Sequence, residues 1–238
     1  MTHEQLADLC LASYSPDGPA GFTRLGGDPG PKAFARLEPD GTVTLVLTGT
    51  DDVLDVIADA AAVLVPWRGM MVHAGFLAWW KALETAVLAF VGMRMVRITG
   101  HSAGGDMAYF AGLSLLGQVM QLVTFGAANP GDAGFRKAFS RLWPVTTCYV
   151  YALDLTPRVP PLAWGYAEVC PATYLDADLR ARLGAMARAA WRTVKALVDV
   201  RTWGDFRRAL LKSALADELG GNHHMETYRD AVRAQSDL

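Results

Sequence analysis

The spacing of apolar residues changes period repeatedly along this chain. Residues 3–14 carry apolar side chains at helical spacing, and residues 15–31, rich in Gly, Pro and Asp, read as loop. Residues 32–38 and 42–47 run or alternate apolar, and Pro39-Asp40-Gly41 between them is a turn signal joining two strands. Helical spacing returns over 52–64 and, for longer, over 75–90. Short apolar runs at 95–99, 120–125 and 146–153 predict strands, and helical patterns at 103–116 and 132–141 separate them. Residues 176–219 break the rhythm and predict two consecutive helices with a weak point at Trp203-Gly204. A last helix is expected over about 225–234, behind Gly220-Gly221-Asn222.

Strands alternating with helices argue for an α/β fold, a mainly parallel central sheet with helices on both faces. At 238 residues the chain can bury such a core as one domain, 1–238. Hydrophobic residues make up 52% and charged residues 19%, an apolar composition that raises the question of a membrane. The longest uncharged run, 107–131, contains Gly112, Gly117, Gln118, Gln121 and Gly126. It reads as a buried helix, a turn and a buried strand, so no transmembrane segment is expected. A formal net charge of −2 gives no bias toward nucleic acid. The N-terminal stretch has acidic residues and no basic region. It does not read as a signal peptide, so the chain is expected inside the cell unless it starts at a mature end or leaves by another route. The three cysteines, Cys10, Cys148 and Cys170, have no metal-site spacing. Free buried thiols are expected, with a Cys148–Cys170 bridge left open.

Candidate chemistry sits in RITGHSAGGDMAYFAG, residues 97–112. With 23 glycines and seven serines in the chain, roughly 0.07 G-x-S-x-G matches are expected by chance, so the context must decide. A strand precedes Gly100-His101-Ser102-Ala103-Gly104 and a helix follows it. That is the setting in which a serine on a sharp turn presents its hydroxyl as a nucleophile. The Ala103 N–H, at the helix start, then faces a developing oxyanion. A serine needs a base, and the base an orienting acid, in the chain order Ser, Asp or Glu, His. His3 and His73 precede the serine, and the His101 side chain diverges from its neighbour on a tight turn. His223 and His224 remain. Asp106 reads as a complement to the helix dipole and Asp132 as a helix cap. Asp154 ends a strand before a proline-stiffened loop, where functional groups of parallel sheets gather, and is the expected acid; Asp176 and Asp178 are the fallback.

The sequence resembles the class 3 lipases, the α/β-hydrolase family of fungal triacylglycerol lipases and their bacterial relatives. Seven segments match in order: LADLCLASYS, LVLTGT, VHAGFLAWW, ITGHSAGG, VTFGAANPGDAGF, LDLTPRVPP and HHMETY. The resemblance implies an α/β-hydrolase fold, with Ser102 as nucleophile, Asp154 as acid and His223 as base, two residues before Met225. It implies that the Thr50 N–H and hydroxyl complete an oxyanion hole with the Ala103 N–H, that His73 is structural, and that no metal or organic cofactor takes part. Residues 51–67 match the family's lid region, and residues 176–219 form an extra helical segment between the Asp and the His. Between Arg180 and Lys212 that segment holds nine Lys or Arg against two Asp; it reads as a solvated helical hairpin capping the fold or, with Trp191 and Trp203 as anchors, as a basic element on an anionic lipid surface. Departures from the family pattern are Thr48 in place of an arginine, the absence of a lid tryptophan near Val56, and Asp106 at a position usually small and apolar.

The expected function is hydrolysis of carboxylic esters of lipids, as a triacylglycerol lipase or carboxylesterase, with peripheral contact at a lipid interface. A phospholipase A or acyltransferase would use the same residues. A non-catalytic α/β-hydrolase module that binds a ligand or partner is the third class, and the intact Ser, Asp, His order argues against it.

Overall fold

The fold comes from a computed structural model, which describes residues 1–26, 30–50, 63–151, 154, 156–175 and 224–236. Helix α1, His3–Ala12, opens the chain behind a capping box at Thr2. Strands β1, Thr23–Leu25, β2, Ala33–Leu37, and β3, Val43–Leu47, form an antiparallel meander, the last two joined at the expected turn. Strands β4, Leu64–Trp67, and β5, Met70–His73, form a separate hairpin. Then come α2, Ala74–Val91, β6, Val96–His101, α3, Ala103–Ser114, β7, Val119–Phe125, α4, Ala133–Phe139, β8, Thr146–Val150, and β9, Ala172–Tyr174. Helix α5, Met225–Ser236, is the last element. The main sheet runs β1-β2-β3-β6-β7-β8-β9 and is parallel from β3 to β9, the mainly parallel α/β architecture expected.

Alternation along the strands builds two cores. Val43, Leu45 and Leu47 of β3, Ile98 of β6, Leu122 of β7 and Cys148 of β8 face the layer of α2, α3 and α4. Val46, Val123, Phe125 and Tyr149 face the other way, onto Leu6, Ala7 and Cys10 of α1 and Met225, Tyr228 and Val232 of α5. Arg233 of α5 bridges Glu4, at 2.6 Å, and Asp8, at 2.9 Å, on α1. Helix α2 is long and apolar enough to cross a membrane. Its buried residues Phe76, Trp80, Leu83, Val87 and Val91 recur at helical spacing and form the stripe it packs into the core.

The structure corrects the sequence reading at three places. Residues 64–67, expected at the end of a lid helix, are a strand. Arg68 and Gly69, with φ of 48° and 79°, make a two-residue turn that pairs Leu64 with His73 and Trp67 with Met70. A short apolar run with helical residues before it carries no signal for that turn. Residues 51–62 of the lid candidate, the helical segment 176–219 with Asp176 and Asp178, and His223 lie outside the described residues.

Cysteines 148 and 170 are joined in a disulfide rather than free. The bridge ties β8 to the residues before β9, and a loop of 22 residues closed in this way restricts the unfolded chain by roughly 3 kcal/mol. Cys10 is free and buried. Burial pushes its thiol up to about 12, and Thr99 Oγ1 lies 3.2 Å away.

Asp106, expected to complement the helix dipole at the start of α3, is fully buried. Burial pushes its carboxyl well above the ordinary range, opposed by the Ala128 N–H, which donates to Oδ2 at 3.3 Å. Oδ1 has no partner among the described residues. Burial therefore favours the neutral acid, which offers the helix dipole no charge.

Two outcomes follow from these corrections. The unfolded chain will react with Ellman's reagent at one thiol before reduction and at three after it; three before reduction would exclude the bridge. Because the folded pKa of Asp106 is raised, its contribution to stability is full below about pH 4 and is lost as pH climbs toward the folded value. Urea unfolding of the wild type and Asp106→Asn will show the wild type losing ground to the variant as pH rises above about 4. A gap independent of pH would contradict the buried neutral acid.

Candidate active site

Ser102 stands at the joint between β6 and α3 with φ 57° and ψ −133°, in the left-handed region that a residue with a Cβ rarely enters. Such a backbone costs about 1–3 kcal/mol and persists only where its surroundings hold it. Here the Ser102 N–H donates to Phe125 O of β7 at 2.9 Å, and its carbonyl accepts from Gly105 N at 2.8 Å. The glycines on either side allow the approach. A Cβ on Gly100 would collide with the Gly104 carbonyl, and one on Gly104 with the Leu47 carbonyl at the end of β3. Ser102 is buried, and Ala103 begins the helix directly after it.

Asp154 lies beyond the end of β8, two strands from β6, and is 1% exposed. Its Oδ1 accepts from Thr156 N at 2.8 Å, and its Oδ2 accepts from the Tyr228 hydroxyl of α5 at 2.6 Å. The same hydroxyl accepts from Tyr151 N at 3.0 Å. Burial, and then the Asp154 charge beside it, push the Tyr228 phenol far above its ordinary value, so it stays a donor. Gly126 links the two sites. It follows Phe125, the acceptor for Ser102, and a Cβ on it would stand 2.7 Å from Asp154 Oδ2. Ser102 and Asp154 are thus held against adjacent residues of β7 and the turn after it.

Thr50 is half-buried and follows Gly49, whose Cβ position lies 3.1 Å from Ser102 Cβ. Thr50 therefore follows a residue that abuts the elbow, and Ala103 follows Ser102 within it. His223 falls outside the described residues; its neighbour His224 is exposed, and its carbonyl starts α5 by accepting from Thr227 N at 3.1 Å.

The three histidines that chain order excludes have other placements. His73 caps α2, its Nδ1 accepting from Gly75 N at 3.1 Å. His3 meets the Tyr149 hydroxyl at 2.8 Å, and His101 meets Tyr14 at 2.6 Å. Asp132 caps α4, accepting from Phe135 N at 2.9 Å. Tyr228 is the group that sequence reasoning missed. It stands in HHMETY, a segment quoted for its histidine. The available signal was a tyrosine one helical turn after His224 on a helix otherwise rich in charge.

A buried, hydrogen-bonded carboxylate and a serine on a strained turn, set at the carboxyl ends of parallel strands, form the frame for nucleophilic acyl transfer. Comparison with known proteins points the same way. The chain is 28% identical over 149 residues to a lipase of Rhizomucor miehei, covering 56% of this chain and 41% of that one. It is 29% identical over 117 residues to a secreted mono- and diacylglycerol lipase of Fusarium solani, covering 45% of this chain and 35% of that one. It therefore spans well under half the length of these relatives. Among solved structures, the Rhizomucor miehei triacylglyceride lipase superposes with a TM-score of 0.61 at 22% identity, over 74% of this chain and 82% of that one. A Yarrowia lipolytica lipase superposes with a TM-score of 0.60 at 19% identity, over 74% and 78%. These likenesses place the fold among the α/β-hydrolases. The family described as lipase (class 3) matches residues 44–164, just over half of the chain and the stretch that runs from β3 through Ser102 to the Asp154 loop, so the chain belongs to the class 3 lipase family.

Proposed function

We propose that this chain is a serine ester hydrolase that cleaves carboxylic esters of lipids, as a triacylglycerol lipase or carboxylesterase, through an acyl-enzyme intermediate. The observation that carries the reading is Ser102 at φ 57° on the β6–α3 turn, with buried Asp154 beyond the end of β8. In this reading His223 takes the Ser102 proton as the hydroxyl oxygen attacks the ester carbonyl. The N–H groups of Thr50 and Ala103 hold the oxyanion. His223 then gives its proton to the departing alcohol. In the second half it takes a proton from water as the water oxygen attacks the acyl carbon, and returns it to Ser102 Oγ as the bond to the serine breaks and the acid leaves. Asp154 orients the imidazole, and Tyr228 and Thr156 N orient Asp154. No metal or organic cofactor enters these steps.

The lipid substrate class rests on the relatives, named as lipases in Rhizomucor miehei and Fusarium solani. It has local support. Val63, Met71 and Leu162 are exposed, and Leu64 Cδ1 lies 3.5 Å from the Cβ position of Gly165, so the hairpin and the turn Leu162–Trp164 form one apolar rim. The hairpin is fastened where β7 ends, its Val72 bridging Gly131 and its His73 N–H donating to Pro130 O at 2.8 Å. The rim thus stands at the end of the sheet that carries Ser102 and Asp154, which supports peripheral contact with a lipid interface. Ser102 has no exposed surface, so an ester reaches its hydroxyl only when neighbouring groups part. One sheet with both faces covered by helices supports a single domain over 1–238.

Ser102→Ala will lower turnover of p-nitrophenyl esters by about four decades or more while the thermal midpoint holds. Ordinary hydrolysis by that variant would remove the assignment. Tyr228→Phe takes away one charge-assisted donor from Asp154, an interaction of about 1.5–3 kcal/mol, and is expected to lower kcat roughly tenfold to a hundredfold. An unchanged kcat would show that Asp154 holds its place without the phenol.

A further inference from the structure

Behind the elbow, on the face of the sheet away from α3, strand alternation sends the His101 side chain toward α1 and α5. A hydrogen bond of 2.6 Å joins its Nδ1 to the Tyr14 hydroxyl, two residues beyond α1. The two rings meet edge to face at 5.8 Å, and His101 is 5% exposed. On its other side the imidazole meets the edge of Tyr228, also at 5.8 Å, whose hydroxyl holds Asp154.

The Tyr14 hydroxyl has a second neighbour. A Cβ on Gly49 would collide with it, would stand 2.6 Å from the His101 carbonyl and would lie 3.1 Å from Ser102 Cβ. One phenol oxygen is therefore lodged between the strand end that leads to Ser102 and the backbone that leads to Thr50. Those two backbones have parted from each other at this point, since the ladder between β3 and β6 ends at Leu47 paired with Gly100, while His101 stays paired with Phe125 of β7. Residues 49–50 and 101–103 lie beyond the last rung, and they carry the two N–H groups assigned to the oxyanion.

We propose that Tyr14 is a positioning residue for the oxyanion cradle: hydrogen-bonded to His101 and seated against Gly49, its hydroxyl sets the spacing between the Thr50 and Ala103 N–H groups. The inference rests on the hydrolase reading above. Tyr14 touches no reacting atom in this role. Its effect is confined to the step in which charge develops on the carbonyl oxygen, because two donors from separate segments must then converge on one atom. Loss of one such donor costs about 10²–10³ in kcat, and a donor displaced rather than lost costs less.

Tyr14→Phe keeps the ring and removes only the oxygen. It is expected to lower kcat about tenfold to a hundredfold, with KM within about twofold and the thermal midpoint unchanged. The rate of labelling of Ser102 by a phosphonate ester, which mimics the tetrahedral state, will fall in parallel. His101→Leu will show a similar loss, and the double variant will be no slower than the slower single one, because the two groups act as a unit. Labelling and kcat at wild-type rates in Tyr14→Phe would overturn the positioning role and leave the hydrolase reading standing, as would additive losses in the double variant. Absence of phosphonate label in the wild type would overturn the hydrolase reading, and the positioning role with it.

Discussion

Ser102 keeps a left-handed backbone because three strands converge on it. Strand β6 delivers it, β7 takes its N–H through Phe125 O, and the end of β3 leaves no room for a Cβ on Gly104. Each contact is between backbones, so the turn is set by how closely the parallel strands and α3 approach. Glycines at 100 and 104 permit that approach, and the strain at the serine is maintained by it. The rest of the molecule can be understood as what keeps these three strands in register.

The two faces of the sheet contribute differently. The layer of α2, α3 and α4 packs a core of aromatic and aliphatic side chains, with Trp67, Phe110 and Phe135 in mutual ring contact, and gives the elbow helix a rigid bed. The face covered by α1 and α5 is more polar near the strand ends. There Tyr14, His101, Tyr228 and Asp154 form a buried run of short hydrogen bonds and ring edges. A packed apolar layer supplies rigidity without direction, whereas hydrogen bonds between aromatic hydroxyls and charged groups fix orientation.

Much of this placement was legible in the sequence, and the limits have physical reasons. The strand–turn–helix around Ser102, the position of Asp154 after a strand and the cap at Asp132 are local features, set by residues within a few positions of one another. Chain order alone separated His3, His73 and His101 from the candidate base, and the structure gives each of them a different partner. Groups whose partners are distant were not legible. Tyr228 meets Asp154 across 74 positions and Tyr14 meets His101 across 87, distances that no helical or strand period reports. The hairpin at 64–73 was missed because its strands are four residues each and its turn uses Arg68 rather than a glycine at the first left-handed position. Asp106 read as a charge complementing the helix dipole because its place in the first turn is a local feature, whereas its burial follows from packing around α3, which is buried over ten consecutive residues. The Cys148–Cys170 bridge depends on how β8 and β9 lie together, which spacing does not reveal.

The clasp of Arg233 on Glu4 spans 229 positions and joins the first helix to the last. During synthesis this means that α1 can pack against the sheet first, but the side it shares with α5 stays open until α5 has left the ribosome. The strands that shape the serine turn can pair well before that moment, whereas Asp154 acquires Tyr228 only when α5 has emerged. A chain that lacked α5 would therefore keep the strained Ser102 turn but leave Asp154 without its phenol donor.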